Sequence, residues 1–207
     1  MTSYGPRSLL EINPGLTILK NQINVLSNKF ANCEIVLVNG FQADKVMNST
    51  PSNVINVENE RFDSTNELRS LALGLRAITT ERVIIIYGDL VFNSEAINTE
   101  FDKKNKILID TSSTGKQKIG CNISQNKVQH MMYDLPNKWG QIIYISREEL
   151  RRLKDMSFNR KNESKFIFEA LNAILDKGGV FEPYYCNHKM IDVDTYKDLV
   201  VAQECIV

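Results

Sequence analysis

The sequence predicts an α/β fold, a mixed and mostly parallel sheet flanked by helices, and three observations carry that prediction. Helical and strand signals alternate from the N-terminus onward. Two apolar runs, "CEIVLV" (33–38) and "RVIIIYGDL" (82–90), lack the polar alternation of a half-solvated strand, as parallel strands covered by helices on both faces do. No internal repeat, low-complexity tract or linker divides the chain, so residues 1–207 read as one domain around one core.

The elements follow in order. After Pro14-Gly15, the residues Leu16, Leu19, Ile23 and Leu26 recur at helical spacing, and strand 33–38 then stops at Asn39-Gly40. Residues 64–78, "STNELRSLALGLRAI", open with capping side chains and align Leu68, Leu71 and Leu75 on one face before strand 82–90. "KILIDT", "KIGCNI", "KVQHMMY" and "QIIYIS" are short strands assigned to an antiparallel edge. Helices over 147–154 and 163–175 come next, and a last helix begins after "MIDVDT".

Composition limits the function. Lys+Arg and Asp+Glu both number 25, which disfavours a polyanionic nucleic-acid partner. No apolar run reaches the ~20 residues of a membrane span, and "MTSYGPRSLLEI" has no signal-peptide core, so no membrane partner is expected. Cys33, Cys121, Cys186 and Cys205 form no C-x-x-C pair, and His130 and His188 have no metal-ligand spacing; this fits a reducing cytoplasm. Self-association into a homo-oligomer stays open.

In open α/β sheets ligands bind beyond the carboxyl ends of strands. Two acidic groups stand there. Gly88-Asp89 follows the apolar run "VIIIY", although Gly-Asp is also an ordinary turn. Asp192 and Asp194 alternate before the last helix, where Asp194 or Thr195 is also suited to capping. Like charges this close repel unless a cation or basic group intervenes. Should the two segments be neighbours, three carboxylates converge, a hard-oxygen set suited to Mg²⁺.

The order "GPRSLLEINPGLTILKNQINVL", "CEIVLVNGFQADKV", "STNELRSLALGL", "VIIIYGDLVF" and "IDVDTYKDLVVA" resembles the Rossmann-like nucleotidyltransferases that activate sugar phosphates or phosphocholine. The resemblance covers residues 5 to about 92 and 139–202, with 93–137 matched in outline. It implies transfer of a nucleoside monophosphate from a nucleoside triphosphate to a small phosphorylated acceptor, with Mg²⁺ and release of pyrophosphate. Arg7 stands where the family carries a triphosphate-binding lysine. Gly88-Asp89 and "DVDTYKDL" match the metal-binding motifs, with Asp89 and Asp194 as ligands and Asp192 at the acidic position before. Asn66 falls in the base-pocket stretch, where a plain helix cap is the alternative; Trp139-Gly140 resembles the loop over the acceptor, where packing is the alternative. The family's first strand and glycine-rich phosphate loop have no counterpart, so the coding region is expected to extend upstream by roughly 12 to 20 residues. Two other functions compete: a noncatalytic nucleotide- or partner-binding relic, and a glycosyltransferase in which Asp192-x-Asp194 serves as an Asp-x-Asp motif.

Overall fold

The computed structural model describes residues 5–97, 104–112, 118–188 and 190–205. The start of the chain, on which the expected loss of a first strand turns, lies outside them. In chain order the elements are β1 (Glu11–Asn13), β2 (Leu16–Thr17), α1 (Ile18–Lys29), β3 (Ile35–Asn39), α2 (Ala43–Met47), β4 (Val54–Glu58), α3 (Glu67–Arg76), β5 (Arg82–Ile86) and β6 (Leu90–Phe92). There follow β7 (Lys106–Asp110), β8 (Ile119–Ser124), β9 (Lys127–Tyr133), β10 (Asn137–Ser146), α4 (Arg147–Phe158), α5 (Ile167–Leu175), β11 (Glu182–Cys186), β12 (Met190–Asp192) and α6 (Tyr196–Cys205).

The sheet is mixed and flanked by helices, as expected, and β10 is its axis. Along one edge β10 pairs with β7; along the other it pairs with β5 at its C-terminal end and β8 at its N-terminal end, all antiparallel. β11 extends β7 in parallel, and Pro183 is tolerated because β11 is an outer strand. β9 completes the far side through β8. The expectation of a mostly parallel sheet needs correction. β5, β7, β8 and β11 share one direction, but β10 runs against them from the middle, so antiparallel neighbours outnumber parallel ones. β7 and β10 were also assigned to an edge, yet Ile107, Leu108, Ile142 and Ile143 are fully buried at its centre.

α3, α4 and α5 cover one face: Leu68, Leu75, Leu150, Leu153, Leu171 and Ile174 pack with Ile85, Ile107 and Ile143. α1 covers the other, capped by Thr17, whose hydroxyl accepts from the Lys20 N–H at 3.2 Å. β3 pairs in parallel with β4 alone and β5 with β10 alone, so among the described residues no backbone ladder joins β3 to β5. The join is made by side chains. Leu19 and Ile23 of α1 meet Ile35 and Leu37, while Val25 and Leu26 meet Ile84 and Ile86.

Candidate functional site

The apolar run 82–90 breaks at Tyr87-Gly88-Asp89, and this break builds the site. From α1, the buried Gln22 donates its amide to the carbonyls of Tyr87 (2.8 Å) and Leu90 (2.7 Å), clamping the loop on both sides of Asp89. Beyond it, β6 pairs antiparallel with β12, which sets Asp192 opposite Leu90, and the Val193 N–H donates to the Asp89 carbonyl at 3.1 Å. The acidic segments are therefore joined by this small separate ladder. Asp89, Asp192 and Asp194 present carboxylate oxygens within 4.8 Å of one another.

The capping acceptor of the last helix is Thr195, not Asp194. Thr195 and Asp198 form a reciprocal box, in which Asp198 Oδ2 accepts from the Thr195 N–H at 2.7 Å and Thr195 Oγ1 accepts from the Asp198 N–H at 3.4 Å. Asp194 instead faces Arg7. One guanidinium nitrogen of Arg7 donates to Asp89 Oδ2 at 2.9 Å and to Asp194 Oδ1 at 2.8 Å. Burial opposes the charge on Arg7, and its hydrogen bonds and attraction to Asp89 and Asp194 prevail, raising its pKa above the ordinary value. Arg7 makes no bond to Asp192 among the described residues. Burial and then the charge of Asp89 push its pKa above the usual carboxylate range, against Lys118 at 3.5 Å and a 2.9 Å hydrogen bond from Gln141 Nε2.

Gln141 reaches Asp192 because β10 bulges. The register with β7 shifts between Trp139 and Ile143, and Gln141 adopts φ of 57°. A Cβ at Gly140 would lie 2.4 Å from Leu108 Cδ2 and 2.6 Å from Met190 Cε, so any larger residue there would need both side-chain ends to move. Trp139, 6% exposed, packs edge-on against Tyr87 with centroids 5.4 Å apart, so packing and cavity lining coincide. Asn66 caps α3, accepting from the Glu67 N–H at 2.8 Å, and lines neither cavity described next.

Two cavities flank the Arg7–Asp194 ion pair, with Arg7 lining one and Asp194 the other. One, about 410 Å³, lies between the ends of β3 and β5 and is lined by Arg7, Asn39, Gly40, Phe41, Phe62 and Gly88. The other, about 180 Å³, is lined by Trp139, Gly140, Gln141, Lys118, Asp192 and Asp194, with aromatic side chains beyond. The first exposes Phe41 and Phe62, paired edge-on at 6.3 Å. Gln22, Lys118 and Gln141 were not singled out in the sequence: each lies far along the chain from the carboxylates, and no local motif marks it.

The fold is that of the nucleotidyltransferases. The structure superposes on CTP:phosphocholine cytidylyltransferase from Streptococcus pneumoniae with a TM-score of 0.78 at 16% identity, over 100% of this chain and 92% of that one. It superposes on a putative glucose-1-phosphate thymidylyltransferase from Bacillus anthracis with a TM-score of 0.78 at 15% identity, over 98% and 87%. For the inositol-1-phosphate CTP transferase from T. maritima the TM-score is 0.74 at 18% identity, over 97% and 87%. No family model matches the sequence, and no curated protein matches it. Among the described residues, no helix is long and apolar enough to cross a membrane.

Proposed function

We propose that the protein is a nucleotidyltransferase that moves a nucleoside monophosphate from a nucleoside triphosphate to a small phosphorylated acceptor, releasing pyrophosphate. The observation that carries this reading is the carboxylate cluster at the junction of two cavities, with Arg7 lining one and Asp194 the other. The larger cavity suits the nucleotide, with Phe41 and Phe62 offering ring faces to a base. The smaller suits the acceptor.

The donor set fits a Mg²⁺ ion. Three carboxylates present oxygens within 4.8 Å of one another, a cationic guanidinium already bridges two of them, and burial together with the charge of Asp89 raises the pKa of the third. Asp89 and Asp194 would hold the ion, with Asp192 beside them; when bound it supplies charge neutralisation at the phosphates. In the transfer, an acceptor phosphate oxygen forms a bond to the α-phosphorus while the bond to the pyrophosphate oxygen breaks. The nucleophile is already anionic, so no side chain need take a proton, and the residues act by positioning and electrostatics. Arg7, displaced from the carboxylates, would meet the leaving pyrophosphate as a planar two-donor fork. Lys118 and the Trp139 indole N–H would orient the acceptor phosphate.

A noncatalytic reading has one observation in its favour, the neutralisation of Asp89 and Asp194 by Arg7 itself. Pyrophosphate release separates the two. The protein is incubated with each labelled nucleoside triphosphate and a panel of phosphorylated acceptors, with Mg²⁺ or with EDTA. Acceptor-dependent release that EDTA abolishes is expected; nucleotide binding without release across the panel would support the noncatalytic protein.

A further inference from the structure

Resting on the transferase reading, we infer that Gln141 is a positioning residue for the cation site: through its side-chain amide it holds Asp192 with one carboxylate oxygen turned to the ion. The bulge in β10 makes this possible. Trp139 pairs with Ile109 and Ile143 with Ile107, so three residues, Gly140, Gln141 and Ile142, stand against Leu108 alone. Gly140 faces Leu108 and Met190, and Ile142 belongs to the same buried cluster as Leu108. Gln141 takes the remaining direction, toward β12 and Asp192. Its φ of 57° lies in the left-handed region, which a residue with a Cβ adopts only at a cost. Strain of this kind persists where the surrounding structure enforces it, and it directs attention to what the residue does.

The hydrogen bonds carry the assignment. Gln141 Nε2 donates to Asp192 Oδ2 at 2.9 Å, and Lys118 Nζ reaches the same oxygen at 3.5 Å. Both donors take Oδ2, so Oδ1, which accepts no hydrogen bond among the described residues, is left for a cation. Gln141 is the firmer hold of the two, and it is neutral. An amide fixes a carboxylate without cancelling the charge that a cation needs, whereas the ammonium of Lys118 cancels part of it. The other end of the same amide is also uncommitted. Gln141 Oε1 is buried and has no donor among the described residues. A buried carbonyl without a donor is costly, and the waters that Mg²⁺ retains when bound would supply one. An apolar side chain would line this cavity and leave no carbonyl unpaired, so packing alone does not account for a glutamine here.

Binding of Mn²⁺ alone to the full chain, followed by water-proton relaxation, tests this apart from turnover. Gln141→Met removes the amide at nearly constant size, and Gln141→Gly also relieves the left-handed backbone, since glycine adopts positive φ freely. Each should weaken Mn²⁺ binding about tenfold, the scale of losing a partner that orients a metal ligand. The glycine variant should unfold in urea at a midpoint no lower than the methionine variant, so that lost affinity is not lost folding. A double-mutant cycle identifies the route. In the Asp192→Ala background either Gln141 substitution should change Mn²⁺ affinity by less than about twofold, because the residue through which Gln141 acts is gone. Unchanged affinity in both variants, or an equal loss with and without Asp192, overturns the inference. Saturable wild-type binding beside that result confines the failure to Gln141. Absence of saturable binding by the wild-type chain also overturns the inference, and the same absence with a nucleoside triphosphate present extends the failure to the cation site of the transferase reading.

Discussion

Strand β5 is held in two different ways on its two sides. Toward β10 it has a continuous antiparallel ladder, from Arg82 opposite Ser146 to Ile86 opposite Ile142. Toward β3 no ladder runs among the described residues, four of the five β3 residues are only half-buried, and the larger cavity opens between the strand ends. The difference separates rigidity from access. The β10 side fixes the Asp89 loop, Trp139 and Gln141 in one frame, whereas the β3 side leaves room for a ligand beside that frame. Side chains of α1 bridge the open side, and α3 comes so close to β3 that a Cβ at Gly74 would lie 3.0 Å from Val38 Cγ2.

The comparison breaks most readily through the core. Ile143→Ala, at a fully buried β10 position, should cost about 2–5 kcal/mol in denaturant unfolding, and Leu37→Ala on β3 clearly less. Equal costs would mean that the two sides are equally well packed. Hydrogen exchange sharpens the same point: β10 amides should exchange only with global unfolding, and β3 amides by smaller openings.

Next in size are changes at the junction. Asp89→Asn and Asp194→Asn should each lower Mg²⁺-dependent turnover at least about 100-fold with the fold intact by circular dichroism, since each removes a ligand of the ion that would neutralise the phosphates. Full activity in either variant would remove that residue from the site. Arg7→Ala should lower kcat/KM for the nucleotide by a factor on the order of 100 while changing stability little, because the ion pair is solvent-exposed. An unchanged kcat/KM would make Arg7 a surface residue of the open side.

The smallest effect concerns Asp192. Its pKa is raised in the folded protein, so its contribution favours folding fully below the ordinary carboxylate range and is lost as pH rises through the elevated value. Asp192→Asn should therefore give a slightly higher thermal midpoint than the wild type at pH 7, a gain that vanishes near pH 3. A lower midpoint at pH 7 would mean that Lys118 and Gln141 outweigh the burial of Asp192 and its repulsion by Asp89.

Periodicity made the helices and most strands legible. Leu68 and Leu75 face the core from α3 as their spacing implies, and the run 127–133 is β9 itself. Where apolar pattern was weak, elements went unread: "VINVE" is strand β4 and "EPYYC" is strand β11, each short and outermost. Pairing partners were illegible for a different reason. An apolar run shows that a strand is buried on both faces but not what lies beside it, so the central place of β10 could not be read from "QIIYIS". Of the candidates that the motifs single out, Asp89, Asp192, Asp194 and Arg7 lie together and Trp139 lines the same cavity as Asp192 and Asp194, whereas Asn66 caps α3 outside both cavities. Gln22 and Gln141 act through a helix face and a bulge, and neither leaves a local trace.

The central claim is that Asp89, Asp192 and Asp194 form a divalent-cation site between a nucleotide cavity and an acceptor cavity. Mn²⁺ titration followed by water-proton relaxation, with Mg²⁺ as competitor, tests it on the unaltered chain. One Mn²⁺ per chain, displaced by Mg²⁺, tightened by a nucleoside triphosphate and lost in Asp89→Asn and Asp194→Asn, is the predicted result. Absence of saturable Mn²⁺ binding with and without nucleotide, or binding that survives both substitutions, would contradict it.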